Sequence, residues 1–119
     1  GSMGLGWGVW ALLKLVESGG DQRAPGDSVP LSCQGSGFNF GSFAVWWYRL
    51  APGGSLEWVS YISTSSSYIK FGPVVEGRAN VSRDNSQAKA SLYLHTLRPQ
   101  DSACYFCAIP TGTGNPVDC

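Results

Sequence analysis

A few arrangements in this chain have residue types and spacing suited to chemistry. Cys104-Tyr-Phe-Cys107 has the two-residue gap of redox dithiols and of zinc ligands. Gly112-Thr-Gly114 has the small residues of a phosphate-cradling loop, and Asn80-Val-Ser82 is an N-glycosylation sequon. Serines, aspartates and one histidine, His95, are the raw material of acid–base catalysis. Most of these fail on local geometry. Read as a strand, 101–107 alternates its side chains between two faces. Residues three apart then point in opposite directions, so Cys104 and Cys107 cannot share a metal or a disulfide. No strand–helix unit follows Gly112, and no nucleophile elbow or His-Glu-x-x-His surrounds His95, which reads as a surface residue at a strand end. The reading is no enzyme, no cofactor and no metal site. The sequon stands as a modification signal, with Asn80 expected to face outward.

The elements that position these residues are short strands. In Asp101–Cys107, alternation puts Ala103, Tyr105 and Cys107 on one face and Cys104 and Phe106 on the other. Val29, Leu31 and Cys33 form a second inward set. Pro30 between them cannot donate to a ladder, so a local break or bulge is expected there. Val45 and Trp47 point inward on a third strand, leaving Trp46, Tyr48 and Leu50 outward. Leu56 and Trp58 return on the next strand after the turn at Ala51-Pro-Gly-Gly54. Ser63–Ser67, between Tyr61-Ile62 and Tyr68-Ile69, reads as a hairpin loop. Ala90, Leu92 and Leu94 are a further inward set. With 119 residues, 16 of them glycine, and turn clusters at short intervals, the chain fits one all-β domain. Eight basic residues balance eight acidic ones, and no basic stripe exists. Nucleic acid and anionic membrane surfaces are therefore not expected partners. The apolar run at Gly4–Leu13 is too short to span a bilayer as a helix.

A Cys on one strand, a Trp on the next and a Tyr two before a second Cys resemble the framework of an immunoglobulin sandwich. That resemblance implies an inter-sheet Cys33–Cys107 disulfide, Trp47 packed on it, a tyrosine corner at Tyr105, and Leu92 and Leu94 in the core. Closing a loop of about 75 residues is worth roughly 4 kcal/mol in the chain-entropy picture. Leu15-Val-Glu-Ser-Gly-Gly20, Ser36-Gly-Phe38, Ala51-Pro-Gly53, Leu56-Glu-Trp-Val-Ser60, Ser82-Arg-Asp-Asn85, Ser91-Leu-Tyr-Leu94 and Leu97-Arg98 narrow it. Together they resemble an antibody heavy-chain variable domain, from about Lys14 to Ala108. The resemblance implies a V-type antiparallel β-sandwich with Greek-key connections, an extracellular location (secreted or on a receptor ectodomain), and a framework ion pair between Arg78 and Asp101. It also implies antigen loops, whose contact candidates here are Asn39, Ser42, Phe43, Tyr61, Thr64, Ser66, Tyr68, Ile109, Pro110 and Thr111. Finally, it implies a partner face made of Trp46, Tyr48, Leu50, Leu56, Trp58 and Phe106. Pairing is expected with a light-chain-like domain or a second copy.

The ends depart from that family. Gly1-Ser2 before Met3 reads as an expression scar, and Gly4–Leu13 resembles a leader peptide without its basic start or cleavage site. Residues 1–13 are thus taken as an apolar extension and 14–119 as the domain. Trp7, Val9 and Trp10 need cover, and packing on the domain's own edge, where they could replace a weak last strand, or on a neighbouring molecule would give it. Thr111-Gly-Thr-Gly114 stands as a degenerate joining segment, or no joining segment is present. Pro116 weakens the final strand either way, and the third loop is reduced to about Ile109-Pro110. Cys104 and Cys119 either pair with each other or carry free or intermolecular thiols. Three functional readings follow: an antigen-recognition domain; a T-cell-receptor-like or surrogate-chain interaction domain with no diversified third loop; or an aberrant or engineered product.

Overall fold

The computed structural model describes residues 10–13, 23–51, 53–110 and 112–113. Nine strands are assigned among them: β1 (Trp10–Leu13), β2 (Val29–Gln34), β3 (Val45–Leu50), β4 (Leu56–Ile62), β5 (Ile69–Phe71), β6 (Ala79–Asp84), β7 (Lys89–Leu94), β8 (Ala103–Ile109) and β9 (Gly112–Thr113). Short 3-10 turns at Phe40–Ser42 and Pro99–Asp101 precede β3 and β8. The strands form two antiparallel sheets. One runs β1-β8-β3-β4-β5 with β9 also on β8, and the other runs β2-β7-β6.

Period-two burial drives this assembly. Val29, Leu31 and Cys33 are buried on β2 while Pro30, Ser32 and Gln34 are exposed. Val45, Trp47 and Arg49 are buried on β3, and Ala90, Leu92 and Leu94 on β7. The inward sets of the two sheets interdigitate in one core with Tyr105 and Cys107. Cys33 and Cys107 are disulfide-bonded with Cα atoms 6.6 Å apart, which joins β2 to β8 and so one sheet to the other. Trimming Leu92 or Leu94 to alanine there costs about 2–5 kcal/mol by transfer and cavity terms.

The expected break at Pro30 is absent. β2 keeps an unbroken register with β7, and Pro30 lies opposite Tyr93. The reason is position: β2 is an edge strand, where a proline can turn its missing N–H away from the ladder. The irregularity falls instead between β3 and β4, where Trp47 pairs with Ser60 and Tyr48 with Trp58, skipping Val59.

The outer edge of β8 is shared by two short strands. β9 pairs with Ala108 and Ile109, and β1 pairs with Phe106 through Ala103. Trp10–Leu13 thus supplies the ladder along Phe106–Ala103, and it comes from the stretch read above as an extension. Trp7 and Val9 lie outside the described residues. Removing residues 1–13 should uncover this edge. Alternate amides of Ala103–Phe106 should then exchange with deuterium several-fold to tenfold faster, the equivalent of about one net hydrogen bond each. Unchanged exchange would mean that β1 does not protect β8.

Candidate recognition surface

A buried carboxylate sets the strands that carry the surface. Asp101 has 0 % exposure. Its Oδ2 accepts from Arg78 Nη1 at 2.6 Å and its Oδ1 from Arg78 Nη2 at 2.9 Å, a bidentate pair. Oδ1 also accepts from Arg49 Nη1 at 2.9 Å, and Oδ2 from the Arg98 backbone N–H at 2.9 Å. Arg49 reaches on to Glu57 Oε1 at 2.6 Å. The Tyr105 hydroxyl accepts from Arg49 at 3.1 Å and donates to the Asp101 backbone carbonyl at 2.7 Å, closing the tyrosine corner. Burial alone would raise the Asp101 carboxyl, but the hydrogen bonds from Arg78, Arg98 and Arg49 outweigh it and hold the group below the usual carboxylate range. Burial pushes the Tyr105 phenol up to about 12.

These contacts fix β3, β4 and β8 side by side, and their outer sides make one face. Trp46, Tyr48, Leu50, Trp58 and Phe106 are half-buried there, and Leu56 is 60 % exposed. Tyr48 stacks on Phe106 with centroids 5.7 Å apart and planes 23° apart. The β3–β4 irregularity matters here. Trp58 and Tyr61 are three apart and would face opposite ways on a regular strand. The skipped Val59 instead puts Trp58 opposite Tyr48 and Tyr61 opposite Trp46. Trp46 meets Tyr61 edge-on at 4.7 Å and Trp58 at 6.5 Å. Gly72 permits this seating of Trp58, because a Cβ there would run into the Trp58 carbonyl oxygen. Trp46, Trp58, Tyr61, Tyr68 and Lys70 line an open groove of about 390 Å³.

The loops at that end are held by Arg83. Its guanidinium donates to Phe43 O at 2.7 Å, Ser63 O at 2.9 Å, Phe40 O at 3.1 Å and Ile62 O at 3.4 Å. It lies 4.7 Å above the Phe40 ring, and its Nε donates to Asn85 Oδ1 at 2.7 Å. Asn85 in turn donates to Thr64 O at 2.9 Å. One cation thus clips the 3-10 turn of the first loop to the base of the β4–β5 hairpin. Burial lowers the Arg83 pKa but leaves a guanidinium charged.

The loop candidates divide accordingly. Asn39 and Ser42 are exposed and bonded to each other at 2.8 Å. Thr64 and Ser66 are exposed, with Ser66 at φ +67°, and Tyr68 is 54 % exposed. Phe43 is half-buried against the core rather than free for contact. Ile109, read above as a contact residue, is 4 % exposed and packs in the core. Its pairing with Gly112 leaves Pro110 and residue 111 as the whole third turn, with Pro110 exposed and Thr111 outside the described residues. Cys104, placed by alternation on the outer face, is 2 % exposed and disulfide-bonded. Its bond is not to Cys33 or Cys107, which pair together, and Cys119 lies outside the described residues. Asn80 is exposed on β6.

The two sheets, their bridging disulfide, the tyrosine corner and the buried Arg–Asp pair are thus in place. The family model for the immunoglobulin V-set domain matches residues 22–118. The chain belongs to the immunoglobulin V-set family. V-set domains are a non-enzymatic recognition fold, commonly paired with other immunoglobulin domains and typically extracellular. Among the described residues no helix of this V-set domain is long and apolar enough to cross a membrane, and no acidic, His or Cys cluster has metal-binding geometry.

Arg49 and Arg83 were missing from the residues singled out in the sequence. Arg49 had a signal: alternation with Val45 and Trp47 turns it inward, and a buried arginine demands a carboxylate. Arg83 had none locally for the clip, since the carbonyls it holds lie some 20 and 40 positions upstream in the chain. In the V-set frame, Arg83→Ala should leave four loop carbonyls without their donor. Stability should fall by about 2–3 kcal/mol, with faster amide exchange confined to 40–43 and 63–68. A loss spread evenly over both sheets would contradict the clip.

Proposed function

We propose that this V-set domain works as a paired recognition module of heavy-chain type. The outer face of β3, β4 and β8 docks against a second variable-type domain, light-chain-like or another copy. The joined loop ends then contact antigen or ligand. One observation carries this reading: the aromatic face of β3, β4 and β8 runs without a break into the groove lined by Trp46, Trp58, Tyr61 and Tyr68. Leu56 stands out at 60 % exposure beside Trp58, and the two-residue third turn is too short to fold over Trp46 and Tyr61. Contiguous apolar surface of a few hundred Å² is unusual on a soluble monomer. A variable-domain pair buries on the order of 800 Å² per side. Aromatic side chains dominate the energetics of such contacts, and Trp46, Tyr48, Trp58 and Phe106 are the anchors here. The tyrosines of the groove suit recognition because they offer large amphipathic area with few rotatable bonds.

The second reading is a T-cell-receptor-like or surrogate-chain domain that pairs but reads no antigen through a diversified third loop. The two-residue third turn favours it, and it uses the same face. Two residues on that face depart from the heavy-chain pattern the chain resembles: Leu50 stands where a glutamine is usual, and Trp46 where a small residue is common. Both changes add apolar surface.

The test is light scattering at micromolar concentration on the wild type and on a Leu56→Arg, Trp58→Gly double variant. The wild type is expected to run as a dimer, or to bind an added light-chain variable domain, and the variant to run as a monomer that binds nothing. A wild type that is monomeric with and without the light-chain domain, and behaves like the variant, would overturn the pairing.

A further inference from the structure

The opposite side of the sandwich carries a second feature. Four large apolar residues are markedly exposed among the described residues. Leu56, Tyr68 and Ile69 belong to β4, β5 and the loop between them. Tyr93 alone, at 42 % exposure, lies on the three-stranded sheet. Its neighbours are specific. Asn80 is directly opposite it on β6 and Pro30 directly opposite it on β2. Directly opposed residues carry Cβ atoms about 4.5–5.5 Å apart. The adjacent outward row is Ser82, Ser91 and Ser32, again in register across the three strands. Asn80, Tyr93, Pro30, Ser91 and Ser32 line a shallow groove of about 460 Å³.

We propose that Asn80 carries an N-linked oligosaccharide whose first sugars seat in this groove, against the Tyr93 ring and Pro30. The proposal rests on the extracellular reading of the domain, because the transferase works in the secretory pathway. Asn80-Val81-Ser82 is the acceptor tripeptide. The strand turns Val81 into the core and leaves both Asn80 and Ser82 outward, so folding and modification do not compete for the same face. The step joins Asn80 Nδ2 to the anomeric carbon of a polyprenyl-diphosphate-linked oligosaccharide. That carbon's bond to the diphosphate oxygen breaks, the polyprenyl diphosphate leaves, and the amide proton passes to a base of the transferase. A pyranose has an apolar C–H face and a polar edge. The Tyr93 ring and Pro30 offer the matching apolar platform, and the serine hydroxyls beside them can donate to and accept from sugar hydroxyls. The arrangement also explains why a large aromatic stands uncovered amid serines. The glycan lies on the sheet opposite the pairing face, so a glycosylated domain remains able to pair.

The experiment uses the full chain made in a eukaryotic secretory host and recovered from medium and cell lumen alike. Intact mass is read before and after treatment with a peptide N-glycosidase. The expected result is a mass excess of one oligosaccharide in the wild type. Asn80→Gln and Ser82→Ala each abolish it, and Tyr93→Ser retains it. Thermal melting then tests the seat. The glycosylated wild type is expected to melt a few degrees above its deglycosylated form, with the difference lost in Tyr93→Ser. An unmodified wild type, or an excess that survives Asn80→Gln, overturns the site. An equal melting difference in wild type and Tyr93→Ser overturns the seat. Neither outcome touches the pairing proposal, which light scattering reads separately.

Discussion

The structure depends on one fully buried carboxylate. Asp101 sits where the chain enters β8, and two guanidiniums and a backbone N–H converge on its two oxygens. Each donor comes from a different part of the chain: Arg49 from β3, Arg78 from the residue just ahead of β6, and Arg98 from the turn ahead of β8. Glu57 on β4 accepts from Arg49 Nε. A buried charge is costly unless paired and hydrogen-bonded, so the cluster holds together as a unit or not at all. What it contributes is chiefly geometry. The three strands of the aromatic face are those it ties, β3, β4 and β8, and β6 brings in the second sheet.

The recognition surface follows from that geometry by simple parity. Arg49 points inward, so Trp46, Tyr48 and Leu50 point outward. Tyr105 points inward to close the corner, so Phe106 points outward to stack on Tyr48. The β3–β4 irregularity then shifts parity once and adds Tyr61 to the same face as Trp58. Arg83 does for the loops what Asp101 does for the strands, with the charges reversed: a cation amid carbonyls. The two clusters divide the labour between the base of the sandwich and its loop end. The edge of β8 shows the same economy of parts, with β9 and β1 sharing a ladder that neither fills alone.

Much of this was legible because period-two burial is local, and on β2, β3 and β7 it is strict. Cys33 and Trp47 can be assigned to the interior from alternation, and Leu92 and Leu94 with them, whereas Tyr105 and Cys107 needed the family resemblance, because β8 is buried on both faces. Three features resisted reading for physical reasons. Pro30 reads as a break only if its strand is central, and edge position is a property of the whole sheet rather than of the residue. The skipped Val59 leaves no mark in the sequence, since valine suits either parity. Ile109 belongs to the core because its strand runs on to a two-residue turn, whereas a longer third loop would have released it. The roles of Arg83 and of Trp10–Leu13 depend on contacts across long stretches of chain, which no local pattern encodes.

The most direct test of the account is the stability of Asp101→Asn against wild type in urea, followed from pH 7 down to pH 2. The Asp101 carboxyl lies below its unfolded value of about 3.9, so its contribution is fully present above that pH and is lost as pH falls through the lower folded value. The account predicts a gap of about 3–5 kcal/mol at pH 7, the cost of leaving buried guanidiniums without their carboxylate. The gap should narrow steadily once pH drops below about 4, as protonation disables the wild type in the same way. Equal stability of the two proteins at pH 7, or a gap that stays constant down to pH 2, would contradict the central place given to Asp101.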